Sequence, residues 1–194
     1  MELSHALSDA LLTLAGIFVF FNYLKPLAPR ERLLWSAFIV SVTAASFFGV
    51  IRFLGYAPAR SVSEIFQHVA STLGVICLVL VCYLKISKTK LAPRYLYCFV
   101  AIGIVLFLYI EIPQKPALAQ FSSMVAIPLV LALGILGLIK GQKGFSLWLI
   151  AAIVLIIVAN FNRAIAPLMH VNNIDLYHSV LAVSILCFGK AASK

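Results

Sequence analysis

Four histidines, at positions 5, 68, 170 and 178, and six acids, at 2, 9, 31, 64, 111 and 175, hold most of the reactive chemistry of this 194-residue chain. Imidazole beside carboxylate can ligate a metal, handle a proton or form a buried ion pair. His5 and Asp9 are four apart, Glu64 and His68 are four apart, and Asp175 and His178 are three apart. Residues at those spacings share a helical face. The sharpest constellation is His68, Asp175 and His178. It offers two imidazoles, each with a carboxylate one turn away to fix its tautomer and raise its basicity.

The elements that must position these groups are apolar. Charged residues make up 11% of the chain and hydrophobic ones 63%, whereas a soluble domain is about 25% charged. The expected fold is all-α: a polytopic, multi-pass integral membrane protein forming one seven-helix transmembrane bundle over residues 1–194. A spanning helix needs about 20 mostly apolar residues, and spans lie near 4–24, 33–55, 63–86, 92–112, 117–139, 144–165 and 172–190. Turn-formers separate them: Lys25-Pro26 with Pro29, Tyr56-Ala57-Pro58, Pro113 with Pro116, Gly141 with Gly144, and Pro167. Leu27-Ala28-Pro29-Arg30 returns as Leu91-Ala92-Pro93-Arg94. Proline favours the first helical position, so both copies read as helix starts. Met1-Glu2-Leu3-Ser4-His5 lacks the basic stretch of a cleavable signal, so the first helix is expected to be retained. Cys77, Cys82, Cys98 and Cys187 have no CxxC spacing and read as free packed thiols.

Basic residues orient the bundle. Loops one, three and five and the C-terminal tail hold eleven: Lys25, Arg30, Arg32, Lys85, Lys88, Lys90, Arg94, Lys140, Lys143, Lys190 and Lys194. The other face holds four: Arg52, Arg60, Lys115 and Arg163. The positive-inside rule then puts the N-terminus outside and the C-terminus in the cytoplasm, in the inner membrane if the source is bacterial. Trp35, Tyr83, Tyr95 and Trp148 read as an aromatic belt at the inner boundary. The net charge of +9 follows this topology and forms no single patch for nucleic acid. The basic inner face should contact anionic lipid.

In this orientation all four histidines and every acid but Glu31 fall at the outer face. Asp9, His68 and His178 lie roughly 7–9 Å below their helix starts at about 1.5 Å per residue. Ionisable groups at such depth should face the bundle interior. Further stripes join them: Ser46, Gly49 and Arg52; Asn160 and Arg163; Asn172, Asp175, His178 and Ser179. The expectation is an outward-opening polar cavity built from helices 1, 2, 3, 6 and 7, with helix 5 peripheral. Arg52 and Arg163 are placed either to pair with Asp9, Glu64 or Asp175 or to capture an anionic head group. His5, His170, Glu2, Glu111 and Lys115 read as interfacial residues.

One chemistry that fits is a metal-assisted hydrolase. A catalytic zinc takes about three protein ligands and keeps an open water position. His68 and His178 would supply two ligands, and Asp9, Asp175 or His170 a third. The bound water would become the nucleophile. Asp9, Glu64 and Asp175 are the candidate catalytic carboxylates. Ser46, Arg52, Asn160, Arg163 and Asn172 are the candidate substrate contacts for a lipid-like amide or ester. The layout resembles the alkaline ceramidase and progestin/adiponectin receptor superfamily of seven-helix transmembrane hydrolases. That resemblance covers the whole length as architecture. It implies a zinc site from the end of helix 2 and the starts of helices 3 and 7, which here hold Ser46 with Arg52, Glu64 with His68, and Asp175 with His178. Where the family pattern carries two further histidines, this chain has Val50 and Ala182.

The other chemistry is non-enzymatic: a receptor, sensor or small subunit holding a lipid or anionic ligand in the same cavity. Bound metal separates the two. Haem on His68 and His178 ranks lower, because no histidine lies at the inner face for transmembrane electron transfer. A retinal protein would need a lysine inside helix 7, where only Lys190 and Lys194 occur, at its end. Apolar helix centres, such as Val75 to Val81 and Ile150 to Val158, argue against an ion path.

Overall fold

A computed structural model describes residues 2–89, 92–112, 116–161 and 172–194, apart from the side chains of Glu2 and of residues 116–120. The described chain forms helices α1 Leu3–Leu24, α2 Pro29–Phe53, α3 Ala59–Ser87, α4 Pro93–Glu111, α5 Pro116–Ile139, α6 Lys143–Asn160 and α7 Asn173–Ala192. All seven are long and apolar enough to cross a membrane. Ala28 and Ala92 are extended, with ψ of 145° at each, and Pro29 and Pro93 open α2 and α4. A residue before proline is held out of the helical region, while proline itself suits the first turn. Helices α2 and α3 therefore begin four residues before the expected 33 and 63. Their charged first turns were read as loop, but a helix start needs no apolar residues. The part of the sixth span beyond Phe161 lies outside the described residues.

The helices pack in a ring. α1 lies between α2 and α7, α7 contacts α6, α6 contacts α5, α5 contacts the second half of α3, and α3 returns to α2. α4 packs chiefly on α3 and is the least buried helix. Trp35, Phe38, Ile39, Leu149, Ile153, Ile185 and Phe188 centre the core. Trp35 is 0% exposed, with its ring centroid 6.3 Å from that of Phe188. It belongs to the core and not to the expected belt, because its helical face points at α7. Tyr83, Tyr95 and Trp148 are exposed, as a belt requires. Cys77, Cys82 and Cys187 are buried free thiols, and Cys98 is an exposed one.

Close approach depends on small residues, as expected where lipid removes the hydrophobic drive between helices. A Cβ on Gly16 of α1 would sit 1.9 Å from Thr43 Oγ1 of α2, and one on Gly74 of α3 would sit 3.1 Å from the Phe38 backbone. Two wide π turns adjust the packing, Phe20–Leu24 in α1 and Ala70–Gly74 in α3. Within the second, Thr72 Oγ1 and Ser71 Oγ donate back to the His68 carbonyl at 2.7 and 3.1 Å. At the end of the bundle where α2 begins, Lys85 Nζ donates to Glu31 Oε1 (2.9 Å) and to the Ala192 carbonyl (3.1 Å), joining α2, α3 and α7.

Gly16→Ala should therefore destabilise the bundle by about 1–3 kcal/mol through overpacking, read as a lower melting temperature in detergent. Adding Thr43→Ala, which removes two of the clashing atoms, should recover part of the loss. An unchanged melt for Gly16→Ala would refute the close α1–α2 contact.

Candidate functional site

The polar residues near the start of α1 and of α7 meet each other across helices. His5 Nδ1–H donates to Asp175 Oδ1 at 2.7 Å. His178 Nδ1 pairs with Asp9 Oδ1 at 3.0 Å. Ser8 stands between the pairs, its hydroxyl 3.1 Å from Asp175 Oδ1 and 3.5 Å from His178 Nδ1. Ser4 also donates to Asp175. The partners are thus crossed: each histidine takes the carboxylate of the other helix, not the one a turn away on its own. Asp9 is 3% exposed, and a carboxylate so buried needs a partner that desolvates with it. A cross-helix imidazole supplies one while tying α1 to α7.

Helix α2 closes the cluster. A Cβ on Gly49 would lie 2.2 Å from Asp9 Oδ2, so only glycine fits there. One turn deeper, Ser46 Oγ and Thr13 Oγ1 share a hydrogen bond at 2.9 Å. The Phe53 ring lies against His5, with centroids 5.1 Å apart. The Arg52 guanidinium lies over Phe53 at 4.1 Å and forms no ion pair with a described carboxylate.

His68 goes elsewhere. Its Nδ1–H donates to Glu111 Oε2 of α4 at 2.6 Å, with both side chains part-buried. Glu64, one turn away on α3, instead pairs with Arg60 Nε at 2.8 Å on an exposed surface. Asn160 is exposed and donates to its own Ile156 carbonyl. Asn172 is exposed and caps α7 by accepting from the Ile174 amide at 2.9 Å. Of the anticipated site residues, Asp9, Asp175, His178, Ser46 and Arg52 therefore gather around α1, α2 and α7. His68 joins a separate pair, while Glu64, Asn160 and Asn172 have local partners. Arg163, His170 and Lys115 lie outside the described residues.

Every pairing histidine in both clusters uses Nδ1, leaving Nε2 outside the pair. That is how a metal-binding or proton-accepting imidazole is oriented. Zinc would need about three such donors converging on one point. Among the described residues no group of three or more His, Cys, Asp or Glu side chains is arranged to hold a metal ion. The geometry also differs from a nucleophile–histidine–acid relay, which needs serine and carboxylate on opposite ring nitrogens. Here Ser8 and Asp9 both approach His178 Nδ1.

A match over residues 4–194 fixes the family. The chain belongs to a family of unknown function, DUF6962. No curated protein and no solved structure matches it. The cluster in this DUF6962 member includes residues that spacing alone did not bring forward. His5 and Glu111 had looked interfacial, and Ser8 and Thr13 had no role. The available signal was position: Ser8 precedes Asp9, and Thr13 follows it by one turn on the same face.

Crossed pairing makes a specific claim about energetics. In double-mutant cycles read by detergent melts, Asp9→Asn with His178→Gln and His5→Gln with Asp175→Asn should each couple by about 0.5–3 kcal/mol. The within-helix combinations, His5 with Asp9 and Asp175 with His178, should couple more weakly. Stronger coupling within helices than between them would overturn the crossed arrangement.

Proposed function

We propose that this DUF6962 member is a non-enzymatic, multi-pass membrane protein, with its N-terminus outside and its C-terminus in the cytoplasm. In this reading the outer polar layer binds a lipid-like or anionic ligand. The observation that carries it is the crossed pairing of α1 with α7. The acids and imidazoles satisfy each other, while Arg52 stands beside them over the Phe53 ring and pairs with no described carboxylate. A guanidinium so placed can offer its fork to a carboxylate or phosphate. The ion-pair clusters of His5, Asp9, Asp175 and His178 and of His68 with Glu111 lie at one end of the bundle, opposite Glu31 with Lys85. The basic residue bias supports placing that first end outside.

Hydrolysis draws less support. It would require the side chains to be aimed at one open point where charge develops. Asp9, Asp175 and Glu111 are aimed instead at imidazoles, Glu31 at Lys85, and Glu64 sits on an exposed surface with Arg60. The resemblance to seven-helix hydrolases remains one of architecture, without the converging donors that their chemistry uses.

The test is native and elemental mass spectrometry on protein purified without a His-tag. A lipid or small anion should be retained by the wild type. Arg52→Gln should weaken its retention about ten-fold or more, since a charge-assisted hydrogen bond contributes about 1.5–3 kcal/mol, while the melting temperature holds. Near-stoichiometric zinc lost in His68→Ala or His178→Ala would overturn the binding reading in favour of the hydrolase. Impermeant maleimide labelling should reach Ser61→Cys from outside intact cells and leave Thr89→Cys unlabelled.

A further inference from the structure

At the other end of the bundle, α3 ends, α6 begins and α7 ends around a groove of about 390 Å³. Lys85, Lys88, Lys143 and Lys194 line it, with Gln142 and Phe145. The four ammonium groups are not equivalent. Lys85 is spent on Glu31 and on the Ala192 carbonyl, and lies 5.8 Å from the centre of the Phe145 ring. Lys88, Lys143 and Lys194 are exposed, and none pairs with a described carboxylate. Three cations around one cavity, none with a described carboxylate partner, favour an anion with several acceptor oxygens.

The backbone supplies further donors. Gln142 stands at the N-cap of α6, but its side chain makes no cap bond. It donates instead to the carbonyls of Ile86 (3.1 Å) and Lys85 (3.4 Å), serving the end of α3. Among the described residues no side chain caps the first amides of α6, and the helix dipole places positive potential there. Gly144 in that first turn lacks a Cβ, and one added would come within 3.8 Å of Lys194 Cδ. The glycine leaves the backbone open beside the lysine stem.

We propose that this groove binds a phosphate-bearing anion. The source is either the headgroup of an anionic lipid or soluble phosphate, and the same donors recognise both. Lysine ammoniums act as point charges toward phosphate oxygens, while uncapped helix amides donate in a fixed direction. A carboxylate presents only two acceptor oxygens to these cations and amides, fewer than a phosphate group offers. The site does not depend on the reading of the outer cluster, which lies at the opposite end of the helices.

The test is thermal unfolding of the full chain in a neutral detergent, with phosphatidylglycerol or phosphatidylcholine added, and separately with inorganic phosphate against chloride at equal ionic strength. Ligand binding to the folded state alone raises the melting temperature. Phosphatidylglycerol should raise it in the wild type and phosphatidylcholine should not. Lys88→Gln/Lys143→Gln should abolish the rise with little change in the melt without lipid. Lys143→Gln alone should reduce it. Lys140→Gln, exposed but outside the groove, should retain it. A rise with inorganic phosphate as well identifies the phosphate group itself as the ligand. A rise with the lipid alone identifies the headgroup on its diacyl chain. An equal phosphatidylglycerol shift in wild type and double variant, or no shift in the wild type with either anion, overturns the proposal.

Discussion

A carboxylate only 3% exposed in the first helix constrains the packing of three helices. Leaving Asp9 charged and unpaired would cost several kcal/mol. One oxygen finds the His178 imidazole of α7, and the other faces α2 at Gly49, where no Cβ can be accommodated. That contact sets a register which the next turns repeat. Thr13 meets Ser46, and Gly16 meets Thr43, each step descending α1 by three or four residues while climbing α2 by three. Polar satisfaction at the top and steric fit below specify the same alignment, and agreement across levels of this kind selects one structure over slipped alternatives.

The opposite end solves a similar problem by different means. Helix C-termini leave carbonyls without intrahelical partners. Lys85 takes the Ala192 carbonyl of α7, and Gln142 takes those at the end of α3. Glu31, the one acid at this end, neutralises Lys85. Between the two polar ends lies an apolar core around Trp35 and Phe188. At the π turn of α3 the Ser71 and Thr72 hydroxyls bond the His68 carbonyl. Membrane-depth irregularities persist where neighbouring hydroxyls re-satisfy the backbone.

The seven helices were legible from hydropathy because each is separated by proline, glycine or charge, although the apolar pattern set the start of α2 four residues late, at 33, where Pro29 already opens the helix. Contacts between helices were less legible. Spacing identifies which residues share a face, so it suggested His5 with Asp9 and Glu64 with His68. It carries no information on which helix a face meets. The actual choices followed tertiary neighbours: α1 beside α7 gave the crossed pairs, and α4 beside α3 gave His68 to Glu111. Glu64 turned to Arg60 because both sit on the exposed side of the first turns of α3. Trp35 shows the same limit in reverse. Its place near a helix end matched a belt residue, but its direction was set by the neighbour it packs on, Phe188.

The stacking order at the α1–α7 contact bears on what a ligand there could do. Arg52 rests on Phe53, Phe53 rests on His5, and His5 holds Asp175. On the proposed reading, an anion captured by Arg52 competes with the aromatic face for the guanidinium. A cation–π contact contributes about 0.5–2 kcal/mol depending on desolvation, less than a bidentate charge-assisted pair supplies. The exchange therefore favours the anion, and it alters the packing of the ring against His5. Ligand binding and the crossed pairs are then thermodynamically linked. Whatever strengthens the α1–α7 contact with ligand bound must, by the same free energy, strengthen ligand binding when that contact is intact.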